Sequence, residues 1–212
     1  MGKKIFLILN SFFLILFLSG CLPKKETLKI QEVPKGGEQK MIKEKNVLMV
    51  VAPRDFRDEE YQKPRQVLES AGVRITVASK GVKVATGMLG ASAQVDKDLS
   101  EIKAVDYNAI VFVGGVGASV YFNDQTALEL ARQAVGQGKV VGAICIAPSI
   151  LANAGILQGK SATCFSSEAE NLKSKGANYT DQAVTVDGNI VTANGPGVAQ
   201  DFGQKILELL GD

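Results

Sequence analysis

The chain of 212 residues contains no histidine and no tryptophan, and only three cysteines. Without histidine there is no imidazole ligand for zinc, no Ser-His-Asp or Cys-His catalytic arrangement, and no side chain whose ordinary titration falls near neutrality. Three cysteines in a chain of this length make no disulfide framework. The formal net charge is +2, and Lys3 and Lys4 in an acid-free first segment of twenty residues account for it, so residues 21–212 are formally neutral. A neutral body lacks the basic face that nucleic-acid binding requires, and no nucleic-acid partner is expected. Tyr61, Tyr107, Tyr121 and Tyr179 are scattered and form no binding stripe. Gly115-x-Gly117 is no dinucleotide fingerprint: Val120 occupies the third glycine position, and no acid falls near Val135 for a ribose. Neither a cofactor nor a metal is expected.

Residues 1–20 read MGKKIFLILNSFFLILFLSG: two lysines, an apolar stretch from Ile5 to Leu18, then Ser19-Gly20. The apolar run is shorter than the ~18 residues a spanning helix needs, so this is a secretion signal rather than a membrane span. Leu18-Ser19-Gly20-Cys21 resembles the bacterial lipobox. That resemblance implies cleavage before Cys21, lipidation of Cys21 with palmitate-type acyl chains, and a position in the bacterial cell envelope, lipid-anchored and facing outside the cytoplasm. Several chains on one residue would hold firmly, where a single chain binds only marginally. Leu22 to Lys45 follows with seven lysines, four glutamates, two prolines and a Gly-Gly pair. No sustained apolar period runs through it, so residues 21–45 read as a lipidated cysteine and solvated tether.

From residue 46 to 212 the texture is globular. Val47–Ala52 is a continuous apolar run, as expected of a strand covered on both faces, and Val73–Ala78, Ala109–Val113 and Lys139–Ile144 read as further strands. Helices are expected from Pro64 to Ala71-Gly72, with an irregular turn ahead of the proline, from Thr126 to Val135 with Asp124 as cap, and from Gly197 to Leu210. Val82–Ala85 and Ser161–Thr163 read as short strands, Ser167-x-x-Glu170 as a capping box, and Ala183–Val186 with Asn189–Thr192 as a hairpin about Asp187-Gly188. Strands alternating with helices specify an α/β fold: one doubly wound, flavodoxin-like three-layer sandwich with a mostly parallel sheet. Sites in such folds lie outside the carboxyl ends of the strands, which puts Gly114-Gly115 and Cys145 on one rim.

Cys145 is the residue that draws chemistry to that rim. It stands where a buried strand runs into a helix opening near Pro148. A helix N-terminus carries roughly half a positive charge and free amides, which would make a thiol there easier to ionise. The strand-to-helix turn would also lift the side chain out of the sheet. The plain alternative is a small apolar residue closing a strand.

With these residues placed, the chain resembles the ThiJ/PfpI family, the superfamily of the parkinsonism-associated deglycase and of PfpI-type intracellular proteases. The matching stretches are NVLMVVAPRDFRDEE, AIVFVGG, VVGAICIAPSILANAGILQGKSAT and DQAVTVDGNIVTANGPG, in order along the whole globular part. The resemblance implies a homodimer, with Cys145 as the elbow cysteine. It also implies an acidic partner late in the loop after the first strand, at Glu60 with Glu59 as the alternative. Asp55, Asp58 and the other glutamate are then acids that simply favour a helix start. The backbone N–H groups of Gly115 and Ile146 would face an oxyanion on a sulfur-bound substrate. Two departures stand out: Ile146 follows the cysteine where many relatives carry His, and Cys164 and Phe165 occupy the place where others supply one. A Cys-His peptidase would have no base here.

The function expected is therefore a Cys-Glu enzyme of the glyoxalase III or deglycase type, its substrate a small reactive aldehyde or a glycated molecule at the membrane surface. The alternative is a redox-responsive or chaperone-like stress protein whose Cys145 oxidises without turnover, with Cys164 a buried structural thiol or, less favoured, a resolving one. A lipid-anchored scaffold with a relic site is a third possibility.

Overall fold

The computed structural model describes residues 45–211. The signal segment, the lipobox with Cys21 and all of the tether before Lys45 lie outside the described residues.

In chain order the strands and helices are β1 (Asn46–Val50), β2 (Arg54–Phe56), α1 (Asp58–Ser70), β3 (Arg74–Ser79), β4 (Val84–Gly87), β5 (Ser92–Gln94), β6 (Lys97–Asp98), β7 (Ala109–Phe112), α2 (Gln125–Gly136), β8 (Val140–Ile144), α3 (Pro148–Asn153), β9 (Ser161–Ala162), α4 (Ala169–Ser174), β10 (Asn178–Tyr179), β11 (Val184–Asp187), β12 (Ile190–Ala193) and α5 (Ala199–Gly211). Seven strands form the central sheet in the order β11-β12-β8-β7-β1-β3-β6. All neighbours are parallel except β11 and β12, which form an antiparallel hairpin. This is the α/β sandwich with a mostly parallel sheet that the apolar runs predict.

Alternation along each strand divides the core in two. Leu48, Val50, Ile110, Phe112, Val141 and Ala143 point to the face covered by α2, α3 and α4, where Leu128, Ile150, Leu151 and Leu172 are buried. Val47, Met49, Val51, Val111 and Ile144 point to the other face, under α1 and α5, with Tyr61, Leu68, Phe202 and Ile206. Strands buried on both sides have no solvent face to show, which is why they read as unbroken apolar runs.

Four local expectations need correction. The first helix begins at Asp58, six residues before Pro64, and runs through the proline to Ser70. Pro64 removes one helical hydrogen bond, to the Glu60 carbonyl. Three acids in the first turn favour the helix start. Gly203 lets α5 press against the proline: a Cβ there would stand 2.8 Å from Pro64 Cα. The capping box at Ser167 does not form. A short 3-10 turn, Ser166–Glu168, precedes α4, Ser167 Oγ donates to Glu168 Oε1, and Glu170 pairs with Lys173. The hairpin turns on Gly188-Asn189, one residue later than expected, since Asp187 pairs with Ile190 and Gly188 takes φ 59°. Val84–Gly87 belongs to a separate small sheet with β2 and β5, beside the main one.

Asp124 caps α2 as expected, its side chain accepting from the Ala127 amide.

Candidate active site

Three neighbouring strand ends, those of β1, β7 and β8, meet at the carboxyl rim, at the edge between strands laid down in opposite directions of winding. After β1 the chain runs through β2 into α1. After β7 come Gly114 and Gly115, and after β8 comes Cys145.

Cys145 has φ 64°, a left-handed conformation uncommon outside glycine. It is held there from both sides: its N–H donates to the Ala193 carbonyl at 2.9 Å, and its own carbonyl accepts from Phe165 N–H at 2.7 Å. This bend turns the side chain off the sheet onto the α1 face, where the residue as a whole is 9% exposed.

The three acids that open α1 go to three places. Asp58 is buried and accepts from the Leu89 and Ala91 amides at 2.9 and 2.6 Å, clasping the β4–β5 turn. Glu59 turns outward to the Arg57 guanidinium, Nε to Oε2 at 2.8 Å. Glu60 points inward and is fully buried, and neither carboxyl oxygen has a regular hydrogen bond. It is Glu60, not Glu59, that the fold brings to Cys145. Gly114 lies between them: a Cβ at that position would overlap Glu60 Oε2 and stand 2.6 Å from Cys145 Cβ. Only a bare backbone lets carboxyl and thiol approach so closely.

Gly115 is equally constrained. Its φ of 92° suits glycine, and a Cβ there would lie 2.6 Å from the Phe56 carbonyl carbon. The Arg57 amide bonds the Gly114 carbonyl at 2.9 Å, which ties the β2 loop to the glycine turn. The backbone N–H groups of Gly115 and Ile146 both act on the Cys145 sulfur and favour its anion.

The electrostatics correct one expectation. Cys145 is not an easily ionised thiol: burial first, and then the Glu60 charge, push it up to about 12 against the two amides. The helix behind it, α3, has only six residues, so its dipole is small. Burial likewise pushes the Glu60 carboxyl up to about 8, even though Cys145 and the Arg57 charge pull it down. Near neutrality the pair is thus uncharged, with a proton on each group. Cys164 lies in the core on the opposite face of the sheet, 1% exposed, and burial pushes it too up to about 12. Both cysteines are free thiols.

Sequence reasoning missed the clasp made by Asp58. Its partners lie more than thirty residues away, and nothing local distinguishes a clasping acid from a helix-start acid. Among the described residues no group of three or more acidic or cysteine side chains could hold a metal ion, and no helix is long and apolar enough to cross a membrane.

Known proteins resemble this chain over its globular part. An uncharacterised protein of Methanocaldococcus jannaschii is 45% identical over 172 residues, covering 80% of this chain and 84% of that protein. Deglycase PfpI of Pyrococcus furiosus is 30% identical, covering 77% of this chain and 98% of its own. The crystal structure of a ThiJ/PfpI domain protein from Brachyspira murdochii superposes with a TM-score of 0.77 at 37% identity, covering 78% of this chain and 96% of that one. The model of the DJ-1/PfpI family matches residues 45–209, and the chain belongs to that family.

Proposed function

We propose that this protein is a Cys-Glu dependent enzyme acting on reactive carbonyls, of the glyoxalase or deglycase kind, with Cys145 as nucleophile and Glu60 as proton carrier. The observation that carries the proposal is the Glu60 carboxyl. It is buried without regular partners and held protonated up to about 8 beside the sulfur. Keeping such a group costs stability, and a purely structural acid would be satisfied or exposed. The relatives named deglycases support the same class.

The chemistry balances without an outside oxidant. The Cys145 S–H adds across the aldehyde of a 2-oxoaldehyde: an S–C bond forms, the carbonyl π bond opens, and the oxygen takes a proton from Glu60 while the sulfur's proton replenishes the acid. The Gly115 and Ile146 amides stabilise the developing oxyanion. Glu60 then works through both oxygens: its O–H protonates the neighbouring ketone oxygen while its other oxygen takes the proton from the former aldehyde carbon, giving an enediol; the acid returns a proton to the neighbouring carbon as it takes the hydroxyl proton from the sulfur-bearing carbon, leaving a 2-hydroxyacyl thioester. Water cleaves the thioester to the hydroxy acid and restores the thiol. The arrangement has no imidazole anywhere in the chain, and a protonated carboxylic acid is the donor that remains. Methylglyoxal turnover by the globular part tests the reading against Cys145→Ala and Glu60→Gln; equal rates in all three would end it.

The same proposal places the enzyme at the cell envelope through acyl chains on Cys21, as a homodimer. Metabolic labelling with palmitate should mark the full chain and not Cys21→Ser, and sedimentation should give twice the protomer mass. Unlabelled full chain would remove the anchor, and a monomer would remove the dimer.

A further inference from the structure

Phe165 occupies an unusual position for a large aromatic side chain. It is 46% exposed, although its backbone is pinned directly to the nucleophile: Phe165 N–H donates to the Cys145 carbonyl at 2.7 Å. Its ring edge, Cδ2, stands 3.8 Å from the point a Cβ on Gly195 would occupy, so the ring lies over bare backbone beyond β12. That strand supplies the other backbone contact to Cys145, from Ala193.

The segment carrying the ring is fixed further along. Fully buried Ser149, on α3, donates its hydroxyl to Glu168 Oε2 at 2.7 Å. Helix and ring segment therefore leave Cys145 together. The residue after the nucleophile, Ile146, is half-buried and packs against the same core as Cys145. Arg57, the cation whose charge reaches Glu60, is tied to Glu59. Glu60 is thus the polar neighbour of the sulfur on the α1 side, while the residue that follows Cys145 and the residue joined to its carbonyl are both apolar, the second a held, solvent-facing aromatic ring at the same rim.

Resting on the carbonyl chemistry proposed above, we infer that Phe165 is a specificity-determining residue that receives an apolar, preferably aromatic, substituent next to the reacting carbonyl. The substrate class is then the aryl or branched-alkyl 2-oxoaldehyde. Hydroxyl-rich sugar adducts would forfeit hydration against the ring with no hydrogen-bonding group to replace it. An apolar contact of this kind discriminates by roughly 10- to 200-fold, and aromatic pairing adds to it.

The test compares kcat/KM for phenylglyoxal and methylglyoxal in the unmodified protein, Phe165→Ala and Phe165→Leu. The unmodified protein should favour phenylglyoxal about tenfold or more, Phe165→Ala should lose most of that preference, and Phe165→Leu should keep part of it. A second arm needs no turnover: the rates at which N-phenylmaleimide and N-methylmaleimide alkylate Cys145, followed by peptide mass. The phenyl-to-methyl ratio should fall several-fold in Phe165→Ala. Lack of glyoxal turnover with a falling maleimide ratio removes the enzyme proposal and leaves aryl recognition standing. A maleimide ratio unchanged by Phe165→Ala, or a Cys145 that neither maleimide reaches, overturns this inference whether or not glyoxals are consumed.

Discussion

Replacing Glu60 by glutamine should make the protein's stability less sensitive to pH, in a direction the burial of this carboxyl dictates. In the unfolded chain the group titrates near 4.5, and in the fold it is raised to about 8. A raised carboxyl binds more protons folded than unfolded between those values, so the native state loses stability as pH climbs through the window. Each pH unit inside it costs about 1.4 kcal/mol. The loss is negligible below pH 4.5, reaches about 3 kcal/mol by pH 7, and levels off at about 4 to 5 kcal/mol beyond pH 8. Glutamine is close in shape and cannot ionise. Urea unfolding of the native chain and Glu60→Gln at pH 4.5, 6 and 7 isolates the effect, because the Cys145 thiol coupled to Glu60 stays protonated over that range and the remaining titrations cancel in the difference. The glutamine variant should gain on the native protein by about 3 kcal/mol between pH 4.5 and 7, a sizeable share of the 5 to 15 kcal/mol that holds a domain together. A difference that stays within 1 kcal/mol across the range would show that the carboxyl ionises freely, and the proton-carrier role would fall with it.

Two further outcomes are expected. Asp58→Ala should lower the urea unfolding free energy by about 1 to 3 kcal/mol, since two part-buried amide bonds that hold the β4–β5 turn lose their acceptor; an unchanged midpoint would refute the clasp. Cys164→Ser should cost about 1 to 3 kcal/mol by burying a hydroxyl in an apolar core while leaving methylglyoxal turnover intact; loss of turnover with stability preserved would instead make Cys164 part of the chemistry.

What was legible in the chain beforehand follows a simple physical division. β1, β7 and β8 announced themselves because strands covered on both faces must be apolar throughout, and Asp124 because a cap acts on its own helix. The rim holding Gly114-Gly115 and Cys145 followed from strand polarity alone. What escaped depends on contacts distant in sequence. Pro64 looks like a helix start until Gly203 is seen pressed against it. Asp58 looks like its neighbours until the β4–β5 turn arrives. The two-residue strands β6 and β10 are too short to carry a period. The thiol was misjudged for the same reason: local sequence displays the amides that favour an anion, and hides the enclosure and buried carboxyl that oppose it.

The left-handed backbone at Cys145 has an implication for how this protein can change. A residue with a side chain pays to adopt that bend, and glycine does not. The fold would therefore gain stability by losing its sulfur: Cys145→Gly ought to melt higher than the native chain while being chemically inert.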